Sequence, residues 1–386
     1  IKAQGLDYGT IFEDFLYKNP DPKGRWSQMS HGVNLAMMLK TAALLYRLTG
    51  DPCEFSRTDR MLELLDRYHG TVAGIYTADE CLNGKSPIQG TELCAVTEMM
   101  YSMEHLAAAS GDGKYVDRLE LLAFNALPAT ISPDMWTHQY DQQVNQIACT
   151  CMENAPFSTN GGESNLFGLE PNFGCCTANM HQGWPKFAMS TMFRGQESIY
   201  IASYAPNRIV TNVNSVPVEI EVSGDYPFHL ETDIAIRTQK TAEFTLLLHI
   251  PGWADSVLLR DGKECLAIGD ESSYSIHRVW EKETILHISF AASPKWEGRP
   301  NGLAAIRRGP LVYSLEIGEE WKQIYTDIPG REFPHCDYEI YPTTSWAYGF
   351  AGTEIKVEEQ TVEDFPFSPK GAPVSLLLPC MPVQWE

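Results

Sequence analysis

Two short stretches, GTELC at residues 90–94 and GCC at residues 174–176, carry Glu92, Cys94, Cys175 and Cys176: one carboxylate and three thiols. These are donors of the kind that hold zinc tetrahedrally. Residues i and i+2 of a regular helix point about 200° apart, so Glu92 and Cys94 can meet on one ion only by straddling a helix start, which Gly90-Thr91 supplies. Adjacent cysteines likewise need an irregular turn, for which Gly174 has the backbone freedom. Both pairs fall at expected helix N-termini, where the dipole favours anionic ligands and lowers thiol pKa values. On these residues alone two other readings of GCC stay open. Buried inert thiols are common. A vicinal disulfide is strained, because neighbouring Cα atoms lie about 3.8 Å apart and disulfides span about 4.4 to 6.8 Å.

Further candidates surround these two clusters. GIYTADECLNG, residues 74–84, places Asp79 and Glu80 in a glycine-flanked loop that leads back to GTELC, so a carboxylate there can approach the same site. Cys81 reads as packing. His31 in SHGVN stands just before a helix, beside Ser30 as its cap. Tyr140 and Gln143 come from a long inserted loop and suit sugar hydroxyls, the alternative for each being an ordinary internal hydrogen bond. His181 either supports the cysteines or faces solvent from their helix. Cys149 and Cys151, in ACTC, would face one way on a strand, as a second thiol site or as packing. The chain has no Walker A segment, no dinucleotide glycine fingerprint after a strand, no HExxH and no GxSxG, so nucleotide and serine-hydrolase chemistry lack support.

The elements that must position these residues fall into two textures. Val33 to Gly50 and Phe55 to His69 have helical apolar spacing and form one antiparallel hairpin. Thr91 to Ser110 and Lys114 to Ala126 form a second, across the turn Gly111-Asp112-Gly113. A fifth helix is expected from Thr177 to about Phe193. Leu127 to Gly174 is too long for an idle connection. From Ser198 the sequence alternates in β-branched runs such as VPVEIEVSG and AEFTLLLHIPGW, which predicts a β-sandwich. The boundary falls near Arg194 to Glu197, giving a helical domain over 1–196 and a β-sandwich region over 197–386, with room for two sub-domains. Five long helices are too few for a closed double ring, so the N-terminal side of the helical domain is expected to be incomplete.

Composition sets bounds on partners. Among 386 residues, 29 Lys and Arg against 50 Asp and Glu give a net charge of −21, which disfavours nucleic acid and anionic membranes. No segment approaches the roughly 20 apolar residues of a membrane span. The chain starts at Ile1 without a basic, apolar leader, and reads as a processed or truncated product. Ten cysteines at irregular spacing are too sparse for a disulfide framework. The thiol-rich cluster favours reducing surroundings, hence the cytoplasm.

SHGVN, ALLYRLTGD, ADECLNGKSPIQGTELC, HQYDQQ, NLFGLEPNFGCCTANMHQGWPKF, LLLHIPGWA and AAIRRGPLVYSLE together resemble the β-L-arabinofuranosidase family, glycoside hydrolase family 127 and its relatives. The resemblance runs from about residue 25 to about residue 320, and E-L-C with C-C is its most specific part. It implies an (α/α)6 barrel carrying the active site, followed by β-sandwich domains. It also implies zinc on Glu92, Cys94, Cys175 and Cys176, with Cys175 as nucleophile, Glu80 as acid/base, and His31 and Tyr140 touching the sugar. The expected activity is retaining hydrolysis of an L-arabinofuranoside or related sugar, in an oligosaccharide or glycoconjugate, with a homodimer left open. Two alternatives are an inverting glycosidase with structural zinc and a carbohydrate-binding protein without turnover. The chain departs from the family in the short spacing from Glu80 to Glu92 and in ADECLNG, which stands where a glycine-rich loop is usual. That leaves Asp79 as the substitute acid.

Overall fold

The computed structural model describes residues 28–384 except 158, 169–172, 270, 328 and 330–334. Residues 1–27 of the expected helical domain, and the segment just before GCC, lie outside the described residues. Seven α-helices form among the described residues: α1 Gly32–Leu39, α2 Thr41–Thr49, α3 Cys53–Tyr68, α4 Leu93–Ser110, α5 Gly113–Leu121, α6 Gly174–Met180 and α7 Gly183–Met189. Helix α4, LCAVTEMMYSMEHLAAAS, is apolar almost all round and is the buried one. It packs against α1, α2, α5, α6 and α7. It stops at Gly111, whose φ of 71° a residue with a side chain would resist.

Three helices differ from the sequence expectation. The helix expected over 33–50 is two, parted at Lys40, whose ammonium reaches Glu98 of α4 at 3.1 Å. The helix expected over 114–126 turns π-helical at Leu122–Ala126. This aims Asn125 at the β region, where it donates to the Pro310 carbonyl at 2.9 Å and accepts the Val312 N–H at 2.7 Å. The fifth helix starts earlier, at Gly174, breaks at His181-Gln182 and ends at Met189. Pro185 explains the break, because its ring would clash with the carbonyl of His181 in an unbroken helix.

Two short strands, β1 Thr91–Glu92 and β2 Asp141–Gln142, belong to the helical half. An eight-stranded system follows: β3 Met192–Arg194, β4 Ser198–Ile201, β5 Asn207–Val213, β6 Val216–Ser223, β7 Glu231–His249, β8 Ser256–Asp261, β9 Glu264–Ile268 and β10 Ser273–Ala291. Its spine is the antiparallel pair β7 and β10, each 19 residues long, with a register shift between Trp280 and Lys282. On one side of that bulge β7 pairs with β6 and β10 with β8; on the other side β7 pairs with β4, in parallel. Long strands that change neighbours at a bulge are how one ribbon serves two sheet faces. Further hairpins extend the β region, among them β11 Lys295–Gly298 with β12 Ala304–Arg308 and β13 Leu311–Tyr313.

One hydrophobic core runs through both halves, from Leu35, Leu64 and Met103 to Ile236, Leu246 and Ile288. Polar groups are buried where the halves meet. Glu120 of α5 accepts from the hydroxyls of Ser203, at 2.5 Å, and Tyr226, at 2.6 Å, and burial pushes its carboxyl up to about 7. His249 of β7 meets Asp117 of α5 at 2.8 Å. Among the described residues no helix is long and apolar enough to cross a membrane.

Candidate active site and metal centre

Backbone pairing brings the site together. The loop after α3 lies beside two other extended segments: Ala78 N–H donates to Gly90 O at 2.9 Å, Glu92 N–H donates to Ala78 O at 3.0 Å, and Glu92 faces Asp141 across β1 and β2. His31 bridges Cys81, with Gly32 N–H on Glu80 O at 2.7 Å and Leu82 N–H on Ser30 O at 2.8 Å. Gly32 is required for this approach, since a Cβ there would lie 2.5 Å from Ala78 Cβ. Three separated segments thereby set His31, Glu80, Glu92 and Tyr140 around one point.

The hydrogen bonds define protonation. His31, rather than Ser30, caps α1: its Nδ1 accepts the Asn34 N–H at 3.2 Å. In the neutral ring the proton therefore sits on Nε2, which donates to Glu80 Oε2 at 2.9 Å. The Tyr140 hydroxyl donates to Glu80 Oε1 at 2.8 Å. Each Glu80 oxygen thus has a fixed donor.

The four predicted ligands converge as well. One donor atom from each of Glu92, Cys94, Cys175 and Cys176 lies within 4.8 Å of all the others, and the Cys94 and Cys176 sulfurs are 3.4 Å apart. Tetrahedral zinc thiolates with Zn–S of about 2.3 Å would place sulfurs about 3.8 Å apart, so the cluster has the right size for a zinc-sized ion. Glu92 stands at the N-cap of α4 in extended conformation and Cys94 in its first turn, so the two straddle a helix start. The cysteine pair corrects the sequence expectation. Cys175 and Cys176 occupy the first turn of regular α6, not an irregular turn, and their sulfurs converge from adjacent positions on its end.

Their electrostatics divide the thiols. Cys94 and Cys176 are buried and Cys175 is exposed. Hydrogen bonds from the Cys176 and Cys94 thiols pull Cys175 down to about 3, helped by the backbone N–H groups of Cys176 and Cys175 at the start of α6. Cys94 is pushed up chiefly by its hydrogen bond to Cys175, and Cys176 chiefly by burial. Burial and the nearby Glu80 push Glu92 up to about 8, and Glu92 Oε2 is buried without a hydrogen-bond partner. An orphaned carboxylate oxygen beside three sulfurs is what a cation would satisfy. His31, Glu80 and Glu92 form a second set within 4.8 Å, so the two sets share Glu92.

The other sequence candidates lie elsewhere. Asp79, next to Glu80, is fully buried and points away: its Oδ2 accepts Thr159 N–H at 2.6 Å, Thr159 O–H at 2.8 Å and Asn160 N–H at 2.9 Å, while Oδ1 accepts from Asn83 at 3.1 Å. Gln143 donates its amide to Ile88 O at 2.5 Å and pins its own loop. His181 is exposed at the end of α6. Cys149 is buried and Cys151 exposed, so they do not share a face; Cys149 sits on a single bridge to Ile340. Cys81 is buried as packing. Sequence reasoning missed Asp141, fully buried opposite Glu92 with neither carboxylate oxygen hydrogen-bonded and its pKa pushed well up by burial. It also missed His138, whose Nε2 meets Thr177 Oγ1 at 2.9 Å and ties α6 to the Tyr140 segment, and Phe173, whose ring centroid lies 4.2 Å from that of Tyr140. HQYDQQ holds two of these three, but side-chain direction in a long loop has no period to read.

Comparison with known families then adds an independent line. The model of the β-L-arabinofuranosidase GH127 catalytic domain matches residues 34–189, and that of the GH127 middle domain matches residues 198–292. In fold the chain is similar to Ara127N-Se, a GH127 β-L-arabinofuranosidase from Geobacillus stearothermophilus T6, with a TM-score of 0.62 and 15% identity over 88% of this chain and 62% of that one. It is similar also to BT3674, a GH127 β-arabinofuranosidase, with a TM-score of 0.62 and 18% identity over 88% of this chain and 64% of that one. The chain thus spans less than two thirds of the length of either structure. No match is found among curated protein sequences.

Proposed function

We propose that this chain, which belongs to the GH127 β-L-arabinofuranosidase family, is a retaining glycoside hydrolase that releases L-arabinofuranose or a closely related sugar. One observation carries the reading: an exposed thiol, Cys175, and a positioned carboxyl, Glu80, flank the same buried acid, Glu92. The helix pairs are read as part of an (α/α)6 barrel, with the sandwich behind it.

Glu92, Cys94, Cys175 and Cys176 would hold zinc, and their donor chemistry, mutual distances and the orphaned Glu92 oxygen fit it. Bound there, zinc supplies the positive charge that lets three thiolates and a carboxylate share one pocket. The chain's own residues do the rest. Cys175, at the open side, attacks the anomeric carbon as Glu80 gives its proton to the departing oxygen; the C–O bond breaks and a C–S bond forms. Glu80, now a carboxylate, takes a proton from water, the water oxygen attacks the same carbon, and the Cys175 thiolate leaves. Two displacements retain configuration. His31 and Tyr140 hold the two Glu80 oxygens through both steps, so gain and loss of the proton need not move the carboxyl. Tyr140 and His31 also line the space beside Glu80 where sugar hydroxyls would lie.

Metal analysis with turnover of an aryl β-L-arabinofuranoside tests this. Cys175→Ser is expected to abolish turnover, and NMR of the first-formed sugar is expected to show the β anomer. Full activity in Cys175→Ser with zinc bound, or an inverted first product, rejects the cysteine route and leaves zinc a structural role.

A further inference from the structure

The geometry points to a second carbohydrate-binding site, remote from Cys175, in the groove between the helical layer and the β region. This groove encloses about 620 Å³ between the turn after α3, helix α5 and the strands β11 and β12, and none of the residues assigned to the metal or to Glu80 lines it. Its volume falls within the roughly 300 to 1,000 Å³ of small-ligand sites.

The walls combine flat apolar rings with fixed planar polar groups. Trp296 is 37% exposed and meets the Phe350 ring edge-on, with centroids 4.7 Å apart, so its free face is held in place. The indole N–H of Trp253 is buried without an acceptor. Glu297 sits between two guanidinium groups, with Arg299 at 2.8 Å and Arg307 on its other oxygen; Arg299 also donates to Gly70 O at 2.5 Å. Asp117, held by His249 and by the Gly252 N–H at 3.0 Å, presents a further carboxylate.

These features select a ligand class by exclusion. An apolar ligand would take the water from these paired carboxylate and guanidinium groups and offer nothing to their remaining hydrogen-bonding positions. A polyanion meets Asp66, Asp117 and Glu297 on a chain of net charge −21. A cation meets Lys114, Arg118, Lys295, Arg299 and Arg307. A neutral oligosaccharide suits all of it: sugar rings have an apolar face for an indole, and adjacent hydroxyls pair two at a time with planar carboxylate and guanidinium groups, which still have unused N–H donors. The groove would then hold a sugar chain whose end is trimmed elsewhere, or keep the protein on such a chain. Binding stands without the glycosidase reading; only the choice of arabinose oligomers as the probe rests on it.

Calorimetric titration of the full chain with neutral arabinose oligosaccharides, using Cys175→Ser to suppress turnover, tests the site. Trp296→Ala is expected to weaken binding about tenfold, and Trp296→Phe, which keeps an aromatic face, to restore it to within about threefold. Arg307→Ala should weaken binding without altering turnover of a small aryl arabinofuranoside in the Cys175 protein. No saturable binding to Cys175→Ser overturns the proposal, as does equal affinity in Trp296→Ala and Arg307→Ala, or binding confined to uronate-bearing oligomers. Loss of aryl-glycoside turnover in wild type with groove binding intact would reject the glycosidase reading alone.

Discussion

Two of the places where acids are buried treat them oppositely. At the junction of the halves, Glu120 is fully enclosed but each oxygen accepts a hydroxyl, from Ser203 and from Tyr226. At the cysteine cluster, Glu92 keeps one oxygen unpartnered and Asp141 both, although Glu80 and Asp79 add further negative charge. A satisfied buried acid is consistent with a folding role alone. An unsatisfied group of acids beside three thiols costs stability, and a bound cation is what would offset that cost. The contrast is the reason the proposed metal is assigned to GTELC and GCC rather than to the equally buried Glu120.

Ways to break this comparison run from large effects to small. Glu80→Gln and Cys175→Ala should each lower kcat/KM for an aryl arabinofuranoside by about a thousandfold or more; Glu80→Gln should leave the melting temperature nearly unchanged, because its side chain reaches the surface of the site, whereas Cys175→Ala should lower it by weakening the hold on zinc. A loss below about tenfold would return both residues to the status of ordinary polar contacts. Removal of metal by a strong chelator should destabilise the protein, and readdition of zinc to a hundred times its Kd should restore about 2.7 kcal/mol; an unchanged melting temperature would mean that the acids are accommodated without an ion.

Glu120 gives the opposite test. Its folded pKa, about 7, lies above the unbound 4.5, so the folded state holds the extra proton between those values. Its contribution is therefore complete below about pH 4.5 and is lost as pH rises through 7, by on the order of 3 kcal/mol. Glu120→Gln should flatten denaturant-measured stability over that window; an unchanged pH profile would show that Glu120 is not the group responsible. Tyr226→Phe should cost about 1 to 2 kcal/mol, read from the shift in denaturation midpoint.

Adjacent acids sharpen the comparison further. Asp79→Asn should cost about 1 to 3 kcal/mol of stability through its contacts with Thr159 and Asn160, while kcat per folded molecule stays within about threefold. A collapse of kcat equal to that of Glu80→Gln would move the acid/base role to Asp79. The smallest effect is expected at Gln143, where Ala should change KM by less than about twofold and stability by about 0.5 kcal/mol.

Much of this was legible beforehand, for reasons specific to each segment. The helices over 53–68 and 93–110 have long, regular apolar spacing, and the strands from Ser198 alternate, so pattern alone places them. Glu92 with Cys94 was legible because the pair opens a helical segment, on which only the helix start lets residues i and i+2 converge. The break before Pro185 is readable from its ring's clash with the His181 carbonyl, even though the apolar run continues past it. The π-turn at Leu122–Ala126 leaves no such mark, because it is held by Asn125 reaching Pro310 and Val312, far along the chain.

Residue types and local spacing by themselves determined the donor set, the helix starts that carry it and the change from helical to β texture near residue 195. They could not choose between Asp79 and Glu80, foresee that Asp141 is buried opposite Glu92, or show that Cys175 is exposed while Cys176 is buried. Neighbours in sequence differ by which way the backbone turns them, and that is fixed by pairing between segments about fifty residues apart, such as His31 with Cys81 and Glu92 with Asp141. Chemistry of type is local; direction and burial come from long-range contacts, and only the tertiary structure supplies those.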